Sequence, residues 1–186
     1  MLRDALAITD GPVAIRFPRG SAPQVGVDEV GSGLAGRRVR RGDAVCLLAV
    51  GKMLAAADHA AEILEAEGVS TTVWDVRCVK PLDPEMLLDA ARHPVVVTIE
   101  DGVREGGAGS AITDAVAELA ACEPASDGQA PRVVVLGTPD RYIAQGRPDD
   151  ILADLGLDGP GVAASALHAI AGRTADARSY DGPSSR

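Results

Sequence analysis

Residues 44–76, AVCLLAVGKMLAAADHAAEILEAEGVSTTVWDV, decide the fold. The opening AVCLLAV (44–50) and the closing TTVWDV (71–76) are short, rich in branched aliphatic side chains and apolar on both faces, the pattern of strands covered from two sides. Between them Met53, Ala57, Ala61 and Leu64 recur at helical spacing, while Asp58, Glu62 and Glu65 fall on the other side and Gly68 stands where a helix ends. Two strands joined through a helix of this length need a crossover connection. Such crossovers fold back onto one sheet with a right hand, so the strands are expected to be parallel.

The alternation continues downstream. VVVTIE (95–100) and RVVVLG (132–137) read as further strands. LDPEMLLDAARH (82–93) reads as a helix with Asp83 as N-cap and Pro84 in its first position, and GGAGSAITDAVAELAAC (106–122) carries Ile112, Val116 and Leu119 on one side. GLAGRRVRRGDAVCLLAV (33–50) suggests a hairpin turning near Gly42 and Asp43, its basic strand antiparallel at a sheet edge. The expected architecture over residues 35–172 is therefore an α/β domain of three layers, with a mostly parallel sheet and one antiparallel edge strand. TPDRYIAQGRPDD (138–150) is expected to be a loop, ILADLGLDGPGVAASALHAIAG (151–172) two short helices, and the polar RTADARSYDGPSSR (173–186) a disordered tail. No internal repeat is present.

Residues 1–20 do not fit this pattern. LRDALA (2–7) is long enough only for the last turns of a helix, and VAIRF (13–17) is a strand-like stretch without visible partners, followed by a linker over residues 21–34. The segment reads as the end of a preceding domain, and the chain as the C-terminal piece of something longer. The alternative is that VAIRF adds to an edge of the same sheet.

Composition narrows the function classes. The 186 residues carry 27 acidic and 18 basic side chains, a formal charge of -9 that opposes sequence-independent attraction to nucleic acid or anionic lipid. Aromatic residues are 2% of the chain, too few for base-stacking platforms. No run of apolar residues is long enough to span a membrane and MLRDALAITD lacks a signal-peptide layout, so a cytoplasmic protein is expected. Cys46, Cys78 and Cys122 are odd in number and far apart, which fits reduced core thiols better than disulfides or a metal knuckle. His59, His93 and His168 are equally scattered, and His59, beside Asp58 and Glu62, is expected to be solvated rather than to bind a metal.

Three stretches are candidates for chemistry. Arg19, between Pro18 and Gly20, offers a planar fork of donors suited to two phosphate oxygens. EDGVREGGAGSAI (100–112) places Gly106, Gly107 and Gly109 where backbone amides at a helix start face an anion, but the spacing is neither GxGxxG nor a P-loop, and Glu100 and Asp101 repel phosphate. A tight strand-to-helix turn, structural or at an interface, is the better reading. The loop holding Asp140, Arg141, Tyr142, Gln145 and Arg147 suits contacts between domains or subunits. With no nucleophile elbow of the form GxSxG, no hydrolase pattern assembles, and neither a catalytic nor a metal-binding residue is assigned.

The order of motifs adds a resemblance. DGPVAIRFPRG (10–20), DVRCVKPLDPEMLLDAARHPVVVTIEDGVREGGAGSAI (75–112) and LGTPDRYIAQGRPDDILADLGLDGPGVAASALHAI (136–170) together resemble the C-terminal part of the 1-deoxy-D-xylulose-5-phosphate synthases, within the transketolase-like thiamine diphosphate enzymes. VKPLD and the GGAGS turn are shared more loosely with transketolases and with β subunits of 2-oxo acid dehydrogenases. The resemblance implies a homodimeric transferase of three domains, using thiamine diphosphate and Mg²⁺ to decarboxylate pyruvate and join it to glyceraldehyde 3-phosphate, at the entry to isoprenoid and terpenoid biosynthesis and toward thiamine and pyridoxal. Residues 1–20 match the end of its second, pyrimidine-binding domain, including that domain's last strand, and residues 35–172 match the transketolase C-terminal domain. Arg19 matches the arginine that contacts the phosphate of glyceraldehyde 3-phosphate. The motifs that hold thiamine diphosphate and Mg²⁺ belong upstream, so this portion alone is expected to be inactive and to bind neither, with the upstream domains as its partners. The alternative is a stand-alone oligomerisation module or a β-type subunit of another thiamine diphosphate enzyme.

Overall fold

A strand with branched aliphatics on both faces must be covered on both faces, and the chain supplies a helix after each parallel strand to do so. The computed structural model describes residues 1–18, 24–26, 29–122 and 129–179. Its elements, in chain order, are α1 (Leu2–Leu6), β1 (Arg37–Arg40), β2 (Val45–Ala49), a 3-10 turn (Gly51–Met53) running into α2 (Leu54–Ala66), β3 (Thr71–Asp75), α3 (Pro84–Ala91), β4 (Val95–Val103), α4 (Ala108–Cys122), β5 (Arg132–Thr138), α5 (Pro148–Asp154) and α6 (Gly159–Ser179). The strands form one five-stranded sheet in the order β1-β3-β2-β4-β5, parallel except for β1.

Side-chain alternation divides the core into two layers. Val45, Leu47, Ala49, Val73, Val95, Val97 and Ile99 face Met53 of the 3-10 turn and Ala57, Ala61 and Leu64 of α2 together with Leu157, Val162 and Ala166. Cys46, Leu48, Trp74 and Val96 face Met86, Ala90, Ile112 and Val116. The expected stripes of α2 and α4 are thus the buried ones, and Gly68 ends α2 with φ +78°. Of the three thiols expected in the core only Cys46 is buried; Cys78 is half-buried and Cys122 is exposed at the end of α4. Burial pushes the Cys46 thiol well above its ordinary value.

The basic edge strand is antiparallel, but it does not form the expected hairpin. β1 pairs with β3 and not with β2, so the chain between them crosses over the start of β3. Gly42 is the crossing point: a Cβ there would stand 2.2 Å from the Thr71 nitrogen, too close for any other residue. The Gly42 amide donates to Thr72 Oγ1 at 2.9 Å, the Thr72 hydroxyl donates to the Gly42 carbonyl at 2.8 Å, and buried His93 places Nε2 3.1 Å from that same carbonyl. A register shift between Arg38 and Arg40 turns these two residues to opposite faces. Arg38 reaches Asp89 of α3 at 3.2 Å and lies over Trp74, whose Nε1 donates to the same carboxylate at 2.7 Å. Arg40 reaches Asp58, Glu62 and Glu65 of α2. This edge is therefore both kinked and charged.

Two further expectations are corrected. Residues 12–18 form no strand, and neither sheet edge pairs with VAIRF, which removes the reading that this stretch extends the sheet. Without a ladder partner its backbone has nothing to hold a strand, and Val13 and Phe17 are exposed. The second helix of residues 151–172 is long, not short: α6 runs through Ser179, because the helix formers Ala and Arg among residues 171–179 continue it past residue 172, where the tail was expected to start. Residues 180–186 lie outside the described residues.

The stretch before β1 is fastened from two sides. Arg77, at the end of β3 with φ +55°, donates to the carbonyls of Gly31 (2.9 Å), Ser32 (3.1 Å) and Ala35 (2.5 Å). Asp83 accepts from the Glu85 amide at 2.8 Å as the expected N-cap, and its other oxygen accepts from Gly36 at 2.7 Å. Asp83→Ala therefore removes a cap and a tether together and is expected to lower the unfolding free energy by about 2 kcal/mol in urea titration, whereas Asp83→Asn retains most of it.

Burial, partly offset by Arg37 and Arg77, holds the Asp75 carboxyl above its ordinary 3.8. A raised carboxyl pKa in the folded state favours folding most when the group is protonated, and that contribution fades as pH rises through the raised value. Asp75→Asn is expected to remove this fall, so that the difference in stability between variant and parent grows with pH in the acidic range above 3.8.

Candidate functional site

In open parallel sheets ligands gather at the carboxyl ends of the strands, where the strand order reverses. Here that point lies between β2 and β4, which are neighbours although β3 intervenes in sequence. The crevice is closed by two contacts. The Val50 amide donates to the Ile99 carbonyl at 2.9 Å, and Lys52 Nζ lies 2.7 Å from Asp101 Oδ2, joining the loop after β2 to the end of β4.

Beside this pair β4 runs on past its ladder with β2, through Glu100 and Asp101 to Val103, with an irregularity in its pairing to β5 between Ile99 and Val103. Glu100 falls on the face toward α4 and is 7% exposed. Its Oε2 accepts from the Ala108 amide at 3.1 Å and its Oε1 from the Gly109 amide at 3.0 Å. The first turn of α4, with its unpaired amides and the positive end of the helix dipole, is the anion site that the glycines suggested. The anion is the chain's own. The sequence reading counted Glu100 as repelling phosphate; it repels by occupying the place.

The glycines around this carboxylate are set by close approach and backbone conformation. A Cβ on Gly107 would stand 2.3 Å from both Glu100 Oε1 and the Val103 carbonyl oxygen, and one on Gly109 would stand 2.5 Å from Val135 Cγ1 and 2.6 Å from Thr98 Oγ1. Thr98 Oγ1 is buried there without a hydrogen-bond partner among the described residues. Gly106 takes φ +74°, and Ser110 Oγ accepts from its amide at 3.0 Å. Gly137 of β5 approaches the Gly102 carbonyl so closely that a Cβ would lie 2.8 Å from it.

The loop after β5 stands over this edge with its side chains outward. Tyr142 is 94% exposed, and Asp140, Arg141, Gln145 and Arg147 are exposed as well. Arg19 lies outside the described residues. His59 is exposed, as expected, with its ring against Gly159 at the start of α6. The sequence reading missed Lys52 and Arg77, and named Asp101 without its partner. An acid eight and nine residues before a glycine-flanked helix start was the available signal for Glu100, while the partners of Lys52 and Arg77 are set by topology.

Thiamine diphosphate and Mg²⁺ do not fit the described residues. The α4 amides that a diphosphate requires are held by Glu100, and no group of three or more His, Cys, Asp or Glu side chains is arranged to hold a metal ion among the described residues. No helix among the described residues is long and apolar enough to cross a membrane.

Comparison with known proteins agrees with this geometry. The family defined by the transketolase C-terminal domain matches residues 35–162. The 1-deoxy-D-xylulose-5-phosphate synthase of Magnetococcus marinus is 37% identical over 168 residues, covering 88% of this chain and 26% of that protein. The synthase of Aeromonas hydrophila is 41% identical over 157 residues, covering 82% of this chain and 23% of that protein. The chain thus spans about a quarter of the length of these curated relatives. Among solved structures, one described as a split gene transketolase, an inactive β4 tetramer, is 33% identical with a TM-score of 0.68, over 82% of this chain and 48% of that one. A Pichia stipitis transketolase, 16% identical with a TM-score of 0.57 over 84% of this chain and 21% of that one, shares the fold.

Glu100→Ala leaves two helix-start amides without their acceptor and a void at the base of α4, and is expected to cost about 3 kcal/mol of stability. Glu100→Gln, which keeps one acceptor oxygen, is expected to cost less than half of that, and Gly107→Ala at least as much as Glu100→Ala. Thermal and urea unfolding of the three variants check the order.

Proposed function

The chain belongs to the transketolase C-terminal domain family, and from that premise we propose that it is the closing portion of a 1-deoxy-D-xylulose-5-phosphate synthase. The observation that carries the reading is the similarity to curated synthases along most of this chain, against only the last part of a longer protein's worth of length. In this reading residues 1–20 end a pyrimidine-binding domain, residues 21–34 link it to the domain of residues 35–172, and the complete enzyme is a cytoplasmic homodimer acting on pyruvate and glyceraldehyde 3-phosphate. Thiamine diphosphate and Mg²⁺ are held by upstream domains.

Two parts of this portion have physical roles. The domain of β1–β5 is a scaffold whose own anion site is filled by Glu100, so it presents a surface to its neighbours and not a second active site. Arg19 is a clamp for the phosphate of the aldehyde substrate: a bidentate guanidinium on a dianion fixes the aldehyde's position without taking part in bond making. A separately encoded β-type subunit is the second reading, favoured by the likeness to the split gene transketolase.

The direct test is carboligation of pyruvate and glyceraldehyde 3-phosphate with added thiamine diphosphate and Mg²⁺. The 186-residue chain alone is expected to show no turnover, and the complete polypeptide full activity; turnover by the chain alone overturns the assignment of the catalytic apparatus to upstream domains. Within the complete enzyme, Arg19→Ala is expected to lower kcat/KM for glyceraldehyde 3-phosphate by about 2 to 4 kcal/mol, with KM for pyruvate little changed. Equal losses for both substrates would assign Arg19 a structural role.

A further inference from the structure

The two edges of the sheet are finished differently. β1 is short, kinked between Arg38 and Arg40, and carries arginines pinned to α2 and α3, the devices by which natural sheets prevent edge pairing. β5 has none of them. Its interior, VVVLG over residues 133–137, contains no charge, no proline and no bulge of its own over Arg132–Leu136, where its register with β4 is regular.

The exposed backbone groups of β5 can be identified. The Arg132 amide donates to the Pro94 carbonyl, and the Thr138 carbonyl accepts from Arg104, so the even-numbered residues of β5 turn their backbone groups toward β4. In a parallel pair the odd-numbered residues then point the other way. The N–H and C=O groups of Val133, Val135 and Gly137 face outward, where no strand stands among the described residues. Consistent with an open edge, Val133–Leu136 are only half-buried, whereas every residue of β2 is buried. A shallow depression of about 450 Å³ beside the edge, lined by Val134, Ala164, Ser165, His168 and Ala169 together with Arg132, continues the surface onto α6.

We propose that the β5 edge is a self-association surface, on which a second copy of this chain pairs its own β5 antiparallel across a two-fold axis at Val135. In that register Val135 faces its counterpart and Val133 faces Gly137 of the other copy, so every outward backbone group is paired. The one charge of the strand, Arg132, is set opposite Thr138, and the two copies of Arg132 stand at opposite ends of the contact. The inference rests on the homodimer part of the reading above and is independent of its substrates.

Sedimentation of the 186-residue chain at physiological salt, with amide hydrogen exchange followed by NMR, tests it. The expected result is a concentration-dependent dimer in which the Val133, Val135 and Gly137 amides exchange slowly and become fast on dilution to monomer. Val133→Pro removes an outward donor while leaving the bonds to β4, and is expected to weaken dimerisation by about 30-fold through the two symmetric bonds lost. Ser165→Arg leaves the strand intact and brings like charges from the two α6 helices together, so it decides the matter if the proline variant does not fold; it too is expected to dissociate the dimer. A chain that stays monomeric throughout overturns the proposal, as does a dimer whose three amides exchange freely or one that survives a folded Val133→Pro or Ser165→Arg. A dimer with free β5 amides leaves the homodimer reading standing and removes only this surface.

Discussion

A carboxylate at the end of β4 satisfies the first turn of α4, and much of the carboxyl edge follows from it. Glu100 brings a buried negative charge to two backbone amides at the positive end of a helix, where it is stabilised by hydrogen bonds and by the helix dipole. The carboxylate has room only if Gly107 lacks a side chain, and α4 can sit this close to Thr98 and Val135 only if Gly109 does. In turn, the close seat of α4 lets it pack Ile112 and Val116 against Cys46, Leu48 and Val96. A glycine-rich turn that in other α/β proteins receives a phosphate here receives the chain itself.

That internal occupancy closes the two places at the carboxyl edge where the fold offers a ligand backbone amides or a crevice. The reversal point between β2 and β4 is bridged by Lys52 and Asp101, and the neighbouring helix start is filled by Glu100. Val79 after β3, Val103 at the end of β4 and Tyr142 after β5 remain exposed at this end.

The architecture was legible because strands buried on both faces read as unbroken aliphatic runs, and because helices covering them carry one apolar stripe each. Asp83, Pro84 and Gly68 marked helix ends by local chemistry, and local chemistry survives folding. The path of β1 was not legible. Gly42 and Asp43 have turn composition, but the bond network of Thr72 and His93 that carries the chain across β3 joins residues far apart in sequence. For the same reason the sequence showed Glu100 only as one of two acids before the glycines and gave Arg77 no role. VAIRF had the right side chains for a strand and no edge to join, and the residues after 172 had the propensity for helix beneath a polar composition.

The central claim is that the helix-start anion site of α4 is filled by Glu100, on which the proposed placement of the cofactor in upstream domains draws. Calorimetric titration of the 186-residue chain with thiamine diphosphate in the presence of Mg²⁺ tests it most directly. The account predicts no saturable heat, with parent and Glu100→Gln proteins alike; tight, stoichiometric binding to the parent chain would contradict it.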